Sequence, residues 1–315
     1  MALSSTPAAP NPKPGEPETS TGPACVMSFN ANDPSGAGGL AADVMAMAST
    51  GAHTLPVVTG AYSRDTAEIF DHFAFDEDAV TEQARSALED MAVDAFKVGF
   101  VGTPEAISTI AEIASDYADV PLIAFMPPLS WWDDSRIDSY HDAFRELLLP
   151  QTTVLVGNHS TLWRWLLPDW SGDKSPSARD IAKAAAEAGA PYTLVTGMPV
   201  HSQYLDNVLV SAQAVLYSEK FEHFDANFSG AGDTLSAALA ALLASGNDLQ
   251  TATAEALSYL DHCLNAGFAP GMGHLLPDRL FWAQADAEGD EPDADPPSRP
   301  ASSDYFELPP HGTKQ

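Results

Sequence analysis

The sequence predicts an α/β fold in which a mostly parallel sheet is covered by helices on both faces. Three observations carry this. Continuous apolar runs of four to seven residues recur along the chain. Helical stretches separate them. Two of the junctions are glycine-rich turns that let the backbone approach a ligand. Strands buried on both faces read as unbroken apolar runs rather than alternations, and ligands in such sheets bind at the carboxyl ends of the strands.

The elements follow in order. Residues 25–29 form the first apolar run. A glycine-rich turn leads into a helix over 40–48, closed by Gly51. Residues 55–61 read as a second buried strand, 77–91 as a helix by their spacing, and 95–99 as a strand ending in glycine. Pro104 opens a helix at a favoured first-turn position. Residues 120–125 read as a strand, and 140–149 as a helix stopped by Pro150. A strand over 153–156, a helix over 177–188 and a strand over 192–196 continue the alternation. Residues 208–210 and 215–217 suit an antiparallel hairpin, and helices over 234–244 and 249–266 finish the body. No internal repeat is visible.

The 315 residues hold 44 acids against 14 bases, a formal charge of −30, and are 45% apolar. That apolar share is ordinary for a chain with a buried core, and no run approaches the roughly 18 to 20 residues of a membrane span. The clustered Lys and Arg that grip nucleic acid or an anionic membrane are lacking, so neither is expected as a partner. Cys25 and Cys263 make neither a disulfide framework nor a CxxC pair. The first residues carry no basic or apolar region of a secretory signal, and a reduced, cytoplasmic compartment is expected. Residues 1–23 are rich in proline, and 284–315 hold eight acids among prolines. Both lack the apolar content that offsets ordering entropy. They read as disordered extensions of one domain over 24–283.

The sharpest chemical feature is Ser229-Gly-Ala-Gly-Asp-Thr-Leu-Ser236. Gly230 and Gly232, with Ala231 between them, open a strong helix. Its first N–H groups are unpaired and its dipole is positive at that end. Negative charge developing on a transferred phosphoryl group is stabilised at such a turn. Asp233 stands at the same place and can take a proton from an attacking hydroxyl. Taken alone, the motif equally suits a loop in which Asp233 or Ser229 is an ordinary N-cap. A second turn, Asn32-Asp-Pro-Ser-Gly-Ala-Gly-Gly-Leu-Ala-Ala-Asp43, follows the first strand. Gly36, Gly38 and Gly39 let the chain pass close to a small ligand. Asp33 and Asp43 can hydrogen-bond a ring amine or hydroxyl; the plainer alternative is a turn with Asp33 bonding its own backbone. Neither GxGxxG nor GxxxxGK[ST] is present in register.

Together the two turns resemble a family. The stretch Asn32–Asp43 is similar to the opening signature DPSGGAGIQAD of the hydroxymethylpyrimidine and phosphomethylpyrimidine kinases of thiamine synthesis. Val57-Val-Thr59, Lys97-Val-Gly99, Leu148-Leu-Pro150, Asn158, Ser229–Ala241 and Gly271-Met-Gly273 follow in the family's order. The resemblance covers the body and leaves both tails outside. It implies a ribokinase-like three-layer α/β/α sandwich with a mostly parallel central sheet. It also implies ATP and Mg²⁺, and transfer of a phosphoryl group to a hydroxymethyl group on a small aromatic ring. By the same resemblance the Gly230–Gly232 turn is the anion hole and Asp233 the base. Gly38, Asp43, Tyr62 and Arg64 face the ring, and Asn158, Thr196 and Gly197 lie on the nucleotide side.

The departures bear on substrate and metal. The family usually carries Cys where Asp233 stands; aspartate there is usual in sugar kinases and many pyridoxal kinases. Arg64 replaces a Gln or Glu that pairs with the pyrimidine edge. Arginine is a donor only, so an anionic group such as an existing phosphate suits it better. Phe125 replaces a family aspartate, Thr161 a carboxylate that helps organise Mg²⁺, and Thr196-Gly197-Met198 the family's Lys-Gly-Gly. No metal ligands are assigned from the sequence.

Lys97, inside an apolar strand, needs a partner, either structural or a phosphate. Trp131 and Trp132 suit a hydrophobic plug at the sandwich edge, or a lid over an aromatic substrate. Met45 and Met47 read as gap-filling core residues, and His159, His201 and His274 lack metal-like spacing.

The reading is an ATP-dependent kinase with hydroxymethylpyrimidine or its monophosphate as leading substrate. A pyridoxal-type vitamer kinase is the rival. A non-catalytic ligand-binding relative is an alternative from another class, and the complete glycine–aspartate turn argues against it. A homodimer is carried over from relatives.

Overall fold

The structure is a computed structural model that describes residues 22–200 and 203–283. The expected extensions, apart from residues 22 and 23, lie outside the described residues, as does His201. Residues up to Phe281 form one unit; of the second unit, Trp282–Gln315, only 282 and 283 are described.

A nine-stranded sheet runs through the unit in the order β3-β2-β1-β4-β5-β6-β7-β8-β9. Its parallel strands are β1 (Cys25–Asn32), β2 (His53–Arg64), β4 (Ala95–Val98), β5 (Leu122–Met126), β6 (Val154–Asn158) and β7 (Tyr192–Pro199). The antiparallel strands stand at the edges: β3 (Ile69–Ala74) on β2, and the hairpin β8 (Tyr204–Ser211) and β9 (Val215–Glu222) beyond β7. All four residues of β4 and all five of β5 are buried, as unbroken apolar runs require of strands covered on both faces.

One helical layer is α1 (Gly39–Ser49), α7 (Ala231–Ala244) and α8 (Leu249–Asn265). Ala46 and Met47 of α1, Leu235, Ala238 and Leu239 of α7 and Leu257 of α8 close the core on that face. Met45 is only half-buried. The small side chains of α7 let it lie close over the middle of the sheet. The other layer holds α2 (Glu77–Leu88), α3 (Pro104–Ser115), α4 (Asp134–Ala143), α5 (His159–Leu166) and α6 (Ala178–Glu187). Ile107, Ile110, Tyr140, Phe144 and Ile181 build its core. Pro104 is at the start of α3 as expected, behind the N-cap Thr103. Ser177 and Asp180 make a reciprocal capping box on α6. This is the expected three-layer sandwich.

Two elements were not expected, and one was misplaced. β3 exposes Phe70, Asp71 and Phe73 and buries His72, so its apolar residues do not mark the buried face. α5 starts at an N-cap, Asn158, read from sequence only as a binding residue. The helix expected over 140–149 is the end of α4, a π-helical turn over Phe144–Leu148 and a 3-10 turn over Leu149–Gln151. α4 begins six residues earlier than expected because Asp133 caps it, its side chain accepting from Arg136 N at 3.1 Å. Of residues 134–139 only Ile137 packs on the core and the rest are exposed, so the first turns of α4 carry little apolar pattern.

The chain leaves β1 for β2 on one side and enters β4 on the other, so the strand order reverses between β1 and β4. Ligand crevices in such sheets open at that reversal, outside the carboxyl ends of the strands.

Candidate active site

A cavity of about 950 Å³ opens at this end of the sheet. The ends of four parallel strands line it: Tyr62 and Arg64 of β2, Phe125 and Met126 of β5, Asn158 of β6 and Thr196 of β7. The β5–α4 connection adds Trp131, and the two glycine turns add Gly38 and residues 229–233. That volume is near the upper end for small-molecule sites.

Gly230 caps α7 in the left-handed region, φ +87°. A side chain there would run into the carbonyl oxygen of Ala37, so the two glycine turns touch at this point. The first in-helix bond of α7 is Thr234 N to Gly230 O at 3.0 Å. The amides of Ala231, Gly232 and Asp233 precede it and have no partner within the helix. They form a bare donor turn at a positive helix end, on the cavity wall.

Asp233 stands beside these amides with its side chain 15% exposed. Its Oδ1 accepts from Lys97 Nζ and Asn30 Nδ2, both at 2.9 Å, and its Oδ2 from Gly39 N at 2.9 Å. Gly38 leaves room for that oxygen, since a Cβ on it would lie 2.9 Å from Oδ2. A carboxylate has about four acceptor sites, so one remains for a ligand. Burial pushes this carboxyl up, but Lys97, with the hydrogen bonds from Lys97, Gly39 and Asn30, outweighs it and holds the group below the usual range. Asp233 is therefore ionised at neutral pH, as a proton acceptor must be.

Lys97 has no exposed side-chain surface and takes both structural partners at once. Its Nζ lies 2.8 and 2.9 Å from the two oxygens of Asp43 and 2.9 Å from Asp233. Burial works against its charge, but the two carboxylates prevail and the ammonium is held above its ordinary value. Burial pushes Asp43 up against the pull of Lys97, and the charge of Asp233 adds to the push. Asn30 donates to both carboxylates at 2.9 Å, and its Oδ1 accepts from Phe100 N at 3.1 Å. The Phe125 ring faces this ammonium, 5.9 Å from Nζ to its centroid.

Two sequence expectations need correction. Asp43 does not face a ligand: it has no exposed surface, and its oxygens accept from Ser28 Oγ, Asn30 Nδ2 and twice from Lys97. Asp33 is likewise filled. It accepts from Ser35 N and Oγ, from Gly38 N at 2.8 Å and from Arg64 Nη1 at 3.2 Å, which leaves no site for a ring. The plainer turn is the one observed. Gly197, φ +68°, sits beside Asn158 but outside the lining, its N–H donating to Asn207 Oδ1. Asn158 both lines the cavity and caps α5, accepting from Ser160 N and Oγ at 2.9 Å.

Tyr62 stacks on Phe100, with centroids 5.5 Å apart, and meets Trp131 edge-on at 6.0 Å. Its phenol is held well above the ordinary value by burial first and the Asp233 charge next, so it presents a neutral aromatic face. The tryptophan pair divides the two expected roles. Trp132 is a buried plug against Tyr140, and Trp131 is part of the cavity wall. Arg64 donates to Asp33, to Ser229 Oγ at 3.4 Å and to Asp65 O, and two of its five N–H groups remain. His274, which lacks metal-like spacing in the sequence, lines the cavity with Nδ1 3.0 Å from Ser229 Oγ. Its signal was position alone, three residues after the Gly271 turn. His159 is structural, bonded to Pro176 O at 2.8 Å.

The magnesium expected from the resemblance finds no matching donor set. Among the described residues no three His, Cys, Asp or Glu side chains cluster to hold a metal. Phe125 and Thr161 line the cavity where carboxylates were expected. The residues present make no all-protein cage for magnesium; Glu68 and Asp233 are the carboxylates in the lining, and an ion carried by a nucleotide's phosphates needs only one or two.

The S. coelicolor hydroxymethylpyrimidine/phosphomethylpyrimidine kinase is 26% identical over 265 residues, covering 83% of this chain and 96% of that protein. The structure of pyridoxal kinase from Staphylococcus aureus in complex with ADP aligns with a TM-score of 0.73 at 19% identity, over 83% of this chain and 95% of that one. The phosphomethylpyrimidine kinase structure from Clostridium difficile 630 aligns with a TM-score of 0.62 at 18% identity, over 76% and 99%. These structures share the ribokinase-like fold. The family model for phosphomethylpyrimidine kinase matches residues 33–278, from the first glycine turn through the helix that carries Asp233 and on past His274. On that match the chain belongs to the phosphomethylpyrimidine kinase family.

Proposed function

We propose that the protein is an ATP-dependent kinase that phosphorylates the ring hydroxymethyl group of hydroxymethylpyrimidine, or its monophosphate, in thiamine biosynthesis. One observation carries this reading: an ionised carboxylate with a free acceptor site stands beside the bare amides of residues 231–233 on the cavity wall. Asp233 takes the proton of the hydroxymethyl oxygen as that oxygen bonds to the γ-phosphorus and the bond to the ADP oxygen breaks. Charge gathers on the phosphoryl oxygens, where the amides of Ala231, Gly232 and Asp233 and the end of α7 receive it. The ring lies against Gly38, Tyr62 and Trp131. The nucleotide lies toward Asn158 and Thr196.

Arg64 favours the monophosphate, because its two spare N–H groups suit an anion and cannot serve a ring acceptor and donor in turn. The same residue supports a pyridoxal-type vitamer as second reading, since no side-chain amide reads a pyrimidine edge at this position.

ATP consumption across hydroxymethylpyrimidine, its monophosphate, pyridoxal and pyridoxine tests the proposal, with Asp233→Asn as control. The pyrimidines should be turned over, and the variant should lose about 10²- to 10⁴-fold in kcat without losing its fold. Greater turnover of pyridoxal would give the second reading. Binding of a precursor with no turnover would make the protein a ligand-binding relative and defeat the proposal.

A further inference from the structure

Arg279 is 3% exposed and lies directly behind the amide turn. A Cβ built on Gly230 would stand 2.7 Å from its Nη2. Its Nε donates to Thr234 Oγ1 at 2.8 Å, its Nη1 to Gly36 O at 3.2 Å and its Nη2 to Ala37 O. Thr234 Oγ1 in turn donates to Gly230 O at 2.8 Å. One guanidinium thus holds the carbonyls of the first glycine turn and, through a hydroxyl, the carbonyl of the second. It draws these acceptors to the buried side and leaves the amides of residues 231–233 to the cavity.

Its charge is placed as unusually as its bonds. All three acceptors are neutral oxygens. Among the described residues no carboxylate lies within 4.0 Å of the guanidinium, whereas buried Lys97 has two. Burial works against this charge, and the carboxylates of Asp233 and Asp43 support it from beyond contact distance. A phosphoryl group at the turn would have this guanidinium behind it, across the carbonyls that it holds.

We propose that Arg279 is a positioning residue for phosphoryl binding: it clamps the two glycine turns together and sets a guanidinium behind the anion hole. The proposal rests on the reading of residues 230–232 as that hole. The full chain carrying Arg279→Met or Arg279→Lys tests it, by calorimetric titration with AMP-PNP and with adenosine, and by kcat and KM for ATP. Met should weaken AMP-PNP at least tenfold, leave adenosine within about twofold and lower kcat by about 100-fold. Lys keeps the charge and loses the fork, so its losses should be clearly smaller. If Met prevents folding, Lys decides, with an AMP-PNP loss of about three- to tenfold expected.

Unchanged AMP-PNP affinity and kcat in a folded variant would overturn the role of Arg279 while leaving the anion hole intact. Equal losses of AMP-PNP and adenosine would reduce Arg279 to general architecture and also overturn it. Wild-type protein that binds AMP-PNP no better than adenosine would defeat the anion hole itself.

Discussion

Replacing Lys97 by methionine removes the one ammonium shared by two buried carboxylates. Its contacts run at 2.8 to 2.9 Å. At an effective dielectric of about 20, each attraction is worth roughly 6 kcal/mol before desolvation is counted. The variant recovers the desolvation of the lysine but leaves Asp43 and Asp233 facing each other, so the net loss should be about 3–5 kcal/mol at pH 7. The sign of its pH dependence is fixed. Asp43 is already held up by burial and by the charge of Asp233, and without Lys97 no cation in contact opposes that; only the more distant Arg279 remains. Its folded pKa then lies above the unfolded one. The folded state binds more protons between the two values, and stability falls as pH rises through that window, by up to about 1.4 kcal/mol per unit. In the wild type, Asp233 is held low, and its contribution fades only below the ordinary carboxylate range. The deficit of the variant should therefore be smaller at pH 5.5 than at pH 8. Urea denaturation at both values checks this, and Lys97→Met with Asp43→Asn should recover at least about 1 kcal/mol. A deficit below about 1 kcal/mol, or one equal at the two pH values, would refute the coupled-charge account.

Further outcomes rest on other parts of the site. Gly230→Ala places a Cβ against the Ala37 carbonyl at φ +87°. It should cost at least about 1–3 kcal/mol in the unfolding midpoint and most of the turnover. Arg64→Gln should raise KM for the monophosphate about tenfold or more and leave that for hydroxymethylpyrimidine within a few-fold, in competition kinetics with both present. His72 is buried among Tyr62 and Phe100, with neither ring nitrogen hydrogen-bonded among the described residues, and burial, then Arg136, pushes it down to about 4. Its charging favours the unfolded chain, so stability should fall as pH drops from 6.5 towards 4. His72→Phe should remove up to about 3 kcal/mol of that acid sensitivity, measured as the difference in denaturation between pH 7 and pH 4.5.

The parallel core of the sheet was legible because β1, β4, β5, β6 and β7 are short, mostly apolar runs between helices, whose signal is local. β3 was not legible: its place is set by pairing with β2, and its exposed phenylalanines give no pattern. At the site the glycine turns and Asp233 were legible, because backbone approach and helix ends are local properties. The fates of Asp33 and Asp43 were not. Their donors Arg64 and Lys97 stand 31 and 54 residues further on, and only the fold reveals that both carboxylates are already filled. Arg279, near the far end of the body, carried no motif at all. Its meaning comes from two carbonyls more than 240 positions away.

The buried ammonium also bears on how the molecule is made. Lys97 is matched by Asp43, from the same early third of the chain, and by Asp233, which leaves the ribosome more than 130 residues later. While synthesis is under way, the nascent amino-terminal portion can bury that cation against an acid it already owns. The base arrives afterwards onto that seat, so the reactive corner can close only once Asp233 has been made.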